Sequence, residues 1–331
     1  MLRGALPVNG SVGADLIYVR DDQPGITRRR RGRGFSYIGP DGTTIARGAE
    51  RTRLEALAVP PAYEDVWICV LPNGHLQATG RDARQRKQYR YHPNWAQARA
   101  ATKFAGLIDF AHALPRLRRR VIRDLKEDVG EREFALASAV AMIDRTAMRV
   151  GDPGYMKENG SYGALTLRNR HVSLHGNTLH LRYRAKGGTK VNKKITDRRL
   201  AGILDRISDL PGAELLSWVD DDGAARGVGS ADLNAYIGSA FGADDVTAKT
   251  FRTWAGTVSA FQVAEKGGAS IKAMTEAAAQ TLSNTPAIAR KSYIHPDVIA
   301  LADGDPLSME VNGKSGLYAA EARLLRFLEG G

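Results

Sequence analysis

Tyr89-Arg90-Tyr91-His92-Pro93-Asn94-Trp95-Ala96-Gln97-Ala98-Arg99-Ala100 is where the texture of the chain changes. Before this stretch the sequence is rich in strand formers and turn signals. After it, Ala, Leu, Arg and Glu recur at helical spacing to about residue 150, with Pro115 and Gly130 as the main breaks. Upstream, Tyr63 to Thr79 is a run of strand formers broken by Asn73-Gly74, which predicts a tight hairpin. Phe35-Ser36-Tyr37-Ile38 before Pro40-Asp41-Gly42 predicts another strand and turn, and residues 50–58 a short helix stopped by Pro60-Pro61. Downstream, helical spacing resumes at 197–208, 230–241, 250–265, 270–281 and 317–328. One β interruption stands out. From Thr178 to Arg184, Leu179, Leu181 and Tyr183 alternate with His180, Arg182 and Arg184, and Lys186-Gly187-Gly188 then turns the chain into Thr189-Lys190-Val191. The expected fold class is α+β: a small β-rich N-terminal domain over residues 1–97 and a larger, mainly α domain over 98–331 that contains a β-hairpin.

Composition narrows the setting. Of 331 residues, 43% are apolar and 25% charged, ordinary globular proportions that exclude a disordered or collagen-like chain. No apolar run approaches the ~20 residues of a spanning helix, and the first residues lack a secretory signal's apolar core, so a cytoplasmic protein with no membrane association is expected. The single cysteine, Cys69, lies in Trp67-Ile68-Cys69-Val70-Leu71 and reads as a buried, inert thiol. Forty-eight Lys and Arg against 36 Asp and Glu leave a net charge of +12, which suits a polyanionic partner because each cation set on a phosphate releases counterions. Arg28-Arg29-Arg30-Arg31-Gly32-Arg33 is the one charge run, and it reads as a mobile phosphate-binding loop.

There is no Gly-rich phosphate loop ending in Lys-Ser/Thr, no cysteine pair, no His-Glu-x-x-His and no Gly-x-Ser-x-Gly. No cofactor is expected, so any chemistry falls to Arg, Lys, Tyr, His and Asn. Four places offer these types. Arg149 stands where a helix stops, ahead of Lys157-Glu158-Asn159-Gly160-Ser161-Tyr162-Gly163; it could enter a cleft or simply complement the helix dipole. Lys186 tops the hairpin, where a turn lysine is commonly just exposed. Arg252, in Phe251-Arg252-Thr253-Trp254, sits among apolar neighbours near a helix start and must find an anion in protein or ligand. Asn284-Thr285-Pro286 reads as a helix entry with threonine as N-cap, and Tyr293 follows about two turns in, a place where tyrosine is commonly a packing residue.

Taken in order and with their spacing, these motifs resemble the active-site motifs of the type IB DNA topoisomerases, in particular the small poxvirus-like group that also occurs in bacteria. The likeness covers most of the chain, and the step of nine from Asn284 to Tyr293 equals the family's step from its His-or-Asn position to its nucleophile. The resemblance implies that Tyr293 attacks the scissile phosphate to form a 3′-phosphotyrosyl link. Arg149 and Arg252 would hold nonbridging oxygens, and Lys186 would protonate the leaving 5′-oxygen. Asn284 stands where poxvirus members carry histidine; an amide donates a hydrogen bond but shuttles no proton, which limits it to transition-state stabilisation. Lys157 would contact DNA. Gly80 to His92 also resembles the family's DNA-contacting segment and offers Arg81, Gln88, Tyr89 and Tyr91 to bases or phosphates.

The family implies double-stranded DNA as partner, relaxation without ATP or metal, and a monomeric clamp at work on a bacterial nucleoid. Two alternatives stand beside it. A tyrosine recombinase shares the constellation, but this chain lacks a His two residues before Thr250 and carries Ser283-Asn284 where recombinases have a final His or Trp. The other is a basic DNA-binding protein without enzymatic activity.

Overall fold

A computed structural model describes residues 16–207, 214–242, 246–309 and 316–330, without the side chains of 96–103 and 105. The chain forms two compact units, 1–104 and 105–331. The boundary expected near residue 97 falls inside a helix that begins in the first unit and ends in the second.

The first unit holds β1 (Ile26–Arg31), β2 (Gly34–Ile38), α1 (Ala49–Ala56), β3 (Glu64–Ile68), β4 (Leu76–Arg81) and β5 (Lys87–Tyr91), in a sheet of order β2-β1-β3-β4-β5. All neighbours are antiparallel, and β3 returns to β4 through the turn that contains Asn73-Gly74. Ile26, Tyr37, Val66, Ile68 and Ala78 cover one sheet face, and Leu54 of α1 is buried among them. Truncating such a leucine to alanine typically costs about 2–5 kcal/mol. Cys69 is buried beside Val19 and Leu76, and burial pushes its thiol up, away from reactive thiolate.

The arginine run departs from its expectation. Residues 28–31 lie in β1, an interior strand, and not in a mobile loop. Arg28 donates to the carbonyls of Val59 (2.6 Å), Pro60 (2.8 Å) and Tyr63 (2.9 Å), and its guanidinium lies 4.2 Å from the centre of the Phe35 ring. Three carbonyl acceptors and an aromatic face make that cation structural, which a string of charges in sequence does not disclose.

The helix α2 (Pro93–Asp124) enters the second unit at residue 105 and continues through Pro115, flanked on both sides by a buried stripe of Leu107, Phe110, Ala111, Leu114, Leu117 and Val121. There follow α3 (Arg132–Thr146), α4 (Pro153–Asn159), β6 (Val172–His175), β7 (Thr178–Arg184), β8 (Lys190–Thr196) and α5 (Arg198–Ile207). The chain then runs through β9 (Ser217–Val219), β10 (Ala225–Gly227), α6 (Ser230–Phe241), α7 (Ala248–Ala264), α8 (Ile271–Leu282), α9 (Pro286–Tyr293), α10 (Pro296–Ala300) and α11 (Ala319–Leu328). Every residue of α3 from Phe134 to Ile143 is buried, so it is the central helix; alanines at 135, 137, 139 and 141 let its neighbours approach closely. The strands β6, β7 and β8 form an antiparallel sheet whose β7 pairs with β8 from Thr178↔Thr196 to Arg184↔Lys190, with a single 3-10 turn over Lys186–Gly188 at the tip. The α+β class stands: a β-sheet unit followed by a mainly helical one with a hairpin. No helix among the described residues is long and apolar enough to cross a membrane.

Candidate active site

Four of the residues singled out in the sequence meet in the second unit, each delivered by the end or the inner face of a helix. Arg149 leaves α3 just after Ala147, whose left-handed backbone (φ 53°) caps that helix. Its carbonyl accepts the Ala164 N–H at 2.8 Å, and the Val150 carbonyl accepts that of Leu165 at 2.8 Å. Gly163 makes this approach possible, since a Cβ there would lie 2.5 Å from the Arg149 carbonyl oxygen. With its backbone fixed in this way, the Arg149 guanidinium donates to Oδ1 of Asn284.

Arg252 projects from α7 into the interior and is only 3% exposed. Its Nη1 donates to the Ala147 carbonyl and its Nη2 to that of Leu282 at 3.1 Å. Among the described residues no carboxylate pairs with it. Burial pushes this guanidinium down from its ordinary value and Arg149 adds to that, while the Tyr293 phenol, hydrogen-bonded to it, and Tyr183 oppose. A fully buried cation with only neutral acceptors is costly unless an anion joins it.

The carbonyls at the end of α8 account for the neighbouring geometry. A helix leaves its last four carbonyls without partners inside the helix. Here the N–H groups of Ser283 and Asn284 reach those of Gln280 and Ala279, at 3.4 and 3.0 Å, with Ser283 in the left-handed region (φ 49°). Arg252 takes the carbonyl of Leu282, and Lys193 of β8 takes that of Thr281. This cap aims Asn284. Because Arg149 occupies its Oδ1, the Nδ2 donors point elsewhere, and Nδ2 is buried without a partner. Among the described residues, four buried side-chain polar atoms lack a hydrogen bond: Ser138 Oγ, Arg168 Nε, Arg252 Nε and Asn284 Nδ2. Two of the four lie here. Buried donors without acceptors are rare enough in folded proteins to require a reason.

Tyr293 is the last residue of α9, a helix that opens as its sequence predicts: the Thr285 hydroxyl accepts the Ile288 N–H at 3.3 Å and Pro286 takes the first helical position. The guanidinium carbon of Arg252 lies 5.2 Å from the Tyr293 ring centre. Two residues of α7 seat the tyrosine's backbone. A Cβ on Gly256 would come within 2.6 Å of the Tyr293 carbonyl oxygen and 3.1 Å of its Cβ, so only glycine fits. Thr257 Oγ1 lies 3.2 Å from that same oxygen and 3.2 Å from the His295 N–H. One helix therefore carries both the buried arginine and the seat of the tyrosine.

Lys186 stands apart from this hydrogen-bonded group. It is exposed at the hairpin tip, with its ammonium 5.4 Å from the ring centre of Tyr155 on α4, the helix that also bears exposed Lys157. Sequence reasoning passed over Tyr183 and Lys193. Burial pushes the Tyr183 phenol up, and Arg252 and Arg149 pull it back; alternation along β7 does place it with inward-facing Leu179 and Leu181, a usable signal.

The other candidates lie in the first unit, on or beside the edge strand β5. Tyr89 and Tyr91 are 50% and 48% exposed and stack with ring centres 6.1 Å apart. Gln88 points to the opposite face and donates to Asp82 Oδ2 at 3.0 Å. Asp82 also accepts from Arg86, chiefly through its side chain, which pulls its carboxyl down to about 2. Arg81 is exposed, bonded to the Gln85 carbonyl at 3.0 Å.

Comparison with known proteins bears on both units. Residues 34–82 match the family described as bacterial DNA topoisomerase IB, N-terminal domain, and residues 92–291 match eukaryotic DNA topoisomerase I, catalytic core. DNA topoisomerase 1B of Acanthamoeba polyphaga mimivirus is 29% identical over 298 residues, covering 85% of this chain and 88% of the viral one. DNA topoisomerase 1B of vaccinia virus (strain Copenhagen) is 26% identical over 124 residues, 38% of this chain and 39% of its own. A solved XerH site-specific recombinase bound to palindromic difH substrate aligns with a TM-score of 0.38 at 14% identity, over 55% of this chain and 47% of that one. The second family match contains Arg149, Lys157, Lys186, Arg252 and Asn284 and stops two residues short of Tyr293.

Proposed function

The chain belongs to the type IB DNA topoisomerases, and we propose that it relaxes supercoiled duplex DNA through Tyr293, with Arg149, Arg252 and Asn284 forming the phosphate seat and Lys186 the proton donor. The observation that carries this reading is the pair of buried, unanswered donors, Arg252 Nε and Asn284 Nδ2, in the group that surrounds the tyrosine.

The phenolic oxygen of Tyr293 attacks the phosphorus of the scissile diester and its proton leaves to solvent. The new O–P bond forms as the bond to the 5′-oxygen breaks, and Lys186 gives that oxygen a proton. The product is a 3′-phosphotyrosyl link and a free 5′-hydroxyl end. Charge on the nonbridging oxygens is met by two guanidinium groups, whose planar forks suit phosphate, and by the Asn284 amide. These donors are already aimed and desolvated, which is where such stabilisation is strongest. One diester replaces another, so rejoining by the 5′-hydroxyl requires no outside energy, and the other strand turns in between.

DNA is the partner. In the finer reading, the first unit meets the duplex through Arg81, Gln88, Tyr89 and Tyr91, and the second adds Lys157. The chain acts as a monomeric clamp on the bacterial nucleoid in the cytoplasm. Two stacked, half-exposed tyrosines on an edge strand support the first contact.

The test is Tyr293→Phe, which removes one oxygen and keeps the ring. Wild type should relax plasmid fully in EDTA without ATP, and the variant should bind DNA with unchanged affinity yet form no covalent adduct on a suicide duplex. An adduct formed by the variant would move the nucleophile elsewhere.

A further inference from the structure

Lys193 is a buried cation that the reaction scheme leaves without a task. It lies midway along β8, paired across the hairpin with Leu181, and its ammonium donates to the Thr281 carbonyl at the end of α8. Together Lys193 and Arg252 take the carbonyls of Thr281 and Leu282, which no backbone N–H among the described residues reaches, at the end of a helix where the dipole favours cations. Thr281 is itself anchored, since its hydroxyl meets that of Ser259 on α7 at 2.8 Å. The lysine thus fastens β8 to the rigid pair α7–α8. On the other arm, the Arg184 carbonyl is held by the Tyr162 N–H at 2.7 Å. Between these two fixings lies the turn that carries Lys186.

We infer that Lys193 is a positioning residue for the proton donor: by tying the hairpin to the end of α8 it sets where Lys186 stands relative to Arg252, Asn284 and Tyr293. This rests on the assignment of Lys186 as the group that protonates the leaving oxygen. The geometry gives the reason. Arg252 and Asn284 are fixed by α7 and α8, whereas Lys186 belongs to a separate sheet, so a tie between the sheet and α8 is needed to keep donor and phosphate seat in one frame. Burial, with Arg252 close by, pulls the Lys193 amine down to about 8, which agrees with a lysine that faces carbonyls and another cation and no acid.

The test uses the full-length protein and two suicide duplexes, one with the normal 5′-oxygen leaving group and one with sulfur in its place, which departs without a proton. Lys193→Met should slow single-turnover cleavage of the oxygen substrate about 10- to 100-fold, part of the ~10²–10⁴-fold that general acid catalysis supplies. On the sulfur substrate it should cleave within about threefold of wild type, with unchanged noncovalent DNA affinity, and Lys193→Arg should restore most of the oxygen rate. Lys186→Ala is run alongside. Failure of sulfur to rescue Lys186→Ala would remove the proton-donor assignment itself. Rescue of Lys186→Ala but not of Lys193→Met would overturn the present inference alone, as would an undiminished rate in Lys193→Met. Should Lys193→Met not fold, Lys193→Gln, which keeps an N–H donor without the charge, is read by the same ratio of rates.

Discussion

Arg118, half-buried, and Arg252, buried, are both guanidinium groups in the helical unit, and their surroundings are opposite. Arg118 on α2 bonds to both oxygens of Asp144 at 2.8 and 2.9 Å and to both of Glu321 at 2.7 and 2.9 Å, and takes the Gly316 carbonyl as well. Glu321 in turn accepts the indole N–H of Trp254 at 3.1 Å. Burial alone would push the Arg118 guanidinium down, but the two carboxylates more than reverse it. Arg252 has carbonyls, a phenol ring and a second arginine around it, and one nitrogen with no partner. The first cluster is complete and joins α2, α3 and α11. The second has only neutral acceptors, and in the proposed reaction a DNA phosphate brings the missing charge.

This contrast can be broken by experiment. The largest effect is expected from Arg118→Ala, which strands the buried carboxylate of Glu321 and the half-buried one of Asp144 and should cost about 3–5 kcal/mol, lowering the melting temperature by roughly 10 °C. Well below the melt, its cleavage rate should stay near wild type. Arg252→Ala should behave the other way: cleavage down about 10²- to 10³-fold, with a smaller loss of thermal stability than Arg118→Ala, because an uncompensated buried charge leaves with the side chain. A lower melting point for Arg252→Ala than for Arg118→Ala would end the distinction.

Asn284 sharpens it further. Asn284→Ala should slow cleavage by about 10- to 100-fold, the loss of one donor to the phosphate, and Asn284→His should remain active because imidazole also donates. Wild-type cleavage by Asn284→Ala would reduce the residue to the cap that ends α8.

The smallest effect concerns pH. The Lys193 amine is lowered in the fold to about 8 from 10.5. Between those values the unfolded chain holds a proton that the native chain has released, so this residue makes stability rise with pH across that window and adds a constant cost below it. Melting curves from pH 7.5 to 10.5 should show a steeper upward contribution in wild type than in Lys193→Met. Parallel curves would contradict the depressed amine.

Much of this was readable from the chain itself. Thr285-Pro286 marks the start of α9, and the period-two pattern from 178 to 184 gives β7. Local chemistry decided each of these. What escaped depends on contacts distant in sequence. Lys193 meets Thr281 across 88 residues, and nothing near either residue announces it. The arginines of β1 look like a phosphate binder until Val59, Pro60 and Tyr63 present their carbonyls to Arg28. The Arg252 side chain has acceptors on two other segments, the end of α3 and the end of α8, so its lack of an acid could be known only once those segments were in place.

The spacing of Arg252, Gly256 and Thr257 along α7 has a consequence for tolerance to heat. Alignment errors in a machine accumulate over the joints between its parts, and within α7 the proposed phosphate grip and the mount of the proposed nucleophile have no joint between them: they sit about one helical turn apart on a single rod. Warming can loosen loops, the hairpin and the outer helices without changing that spacing. Drift between Tyr293 and the phosphate that the proposed reaction brings to it should therefore begin only when α7, or the seating of α9 on it, gives way. Adduct formation on the sulfur duplex, which needs no proton from Lys186 on the hairpin, and helical structure would then be lost together on a heating ramp, whereas cleavage of the oxygen duplex would fall earlier, as the hairpin loosens.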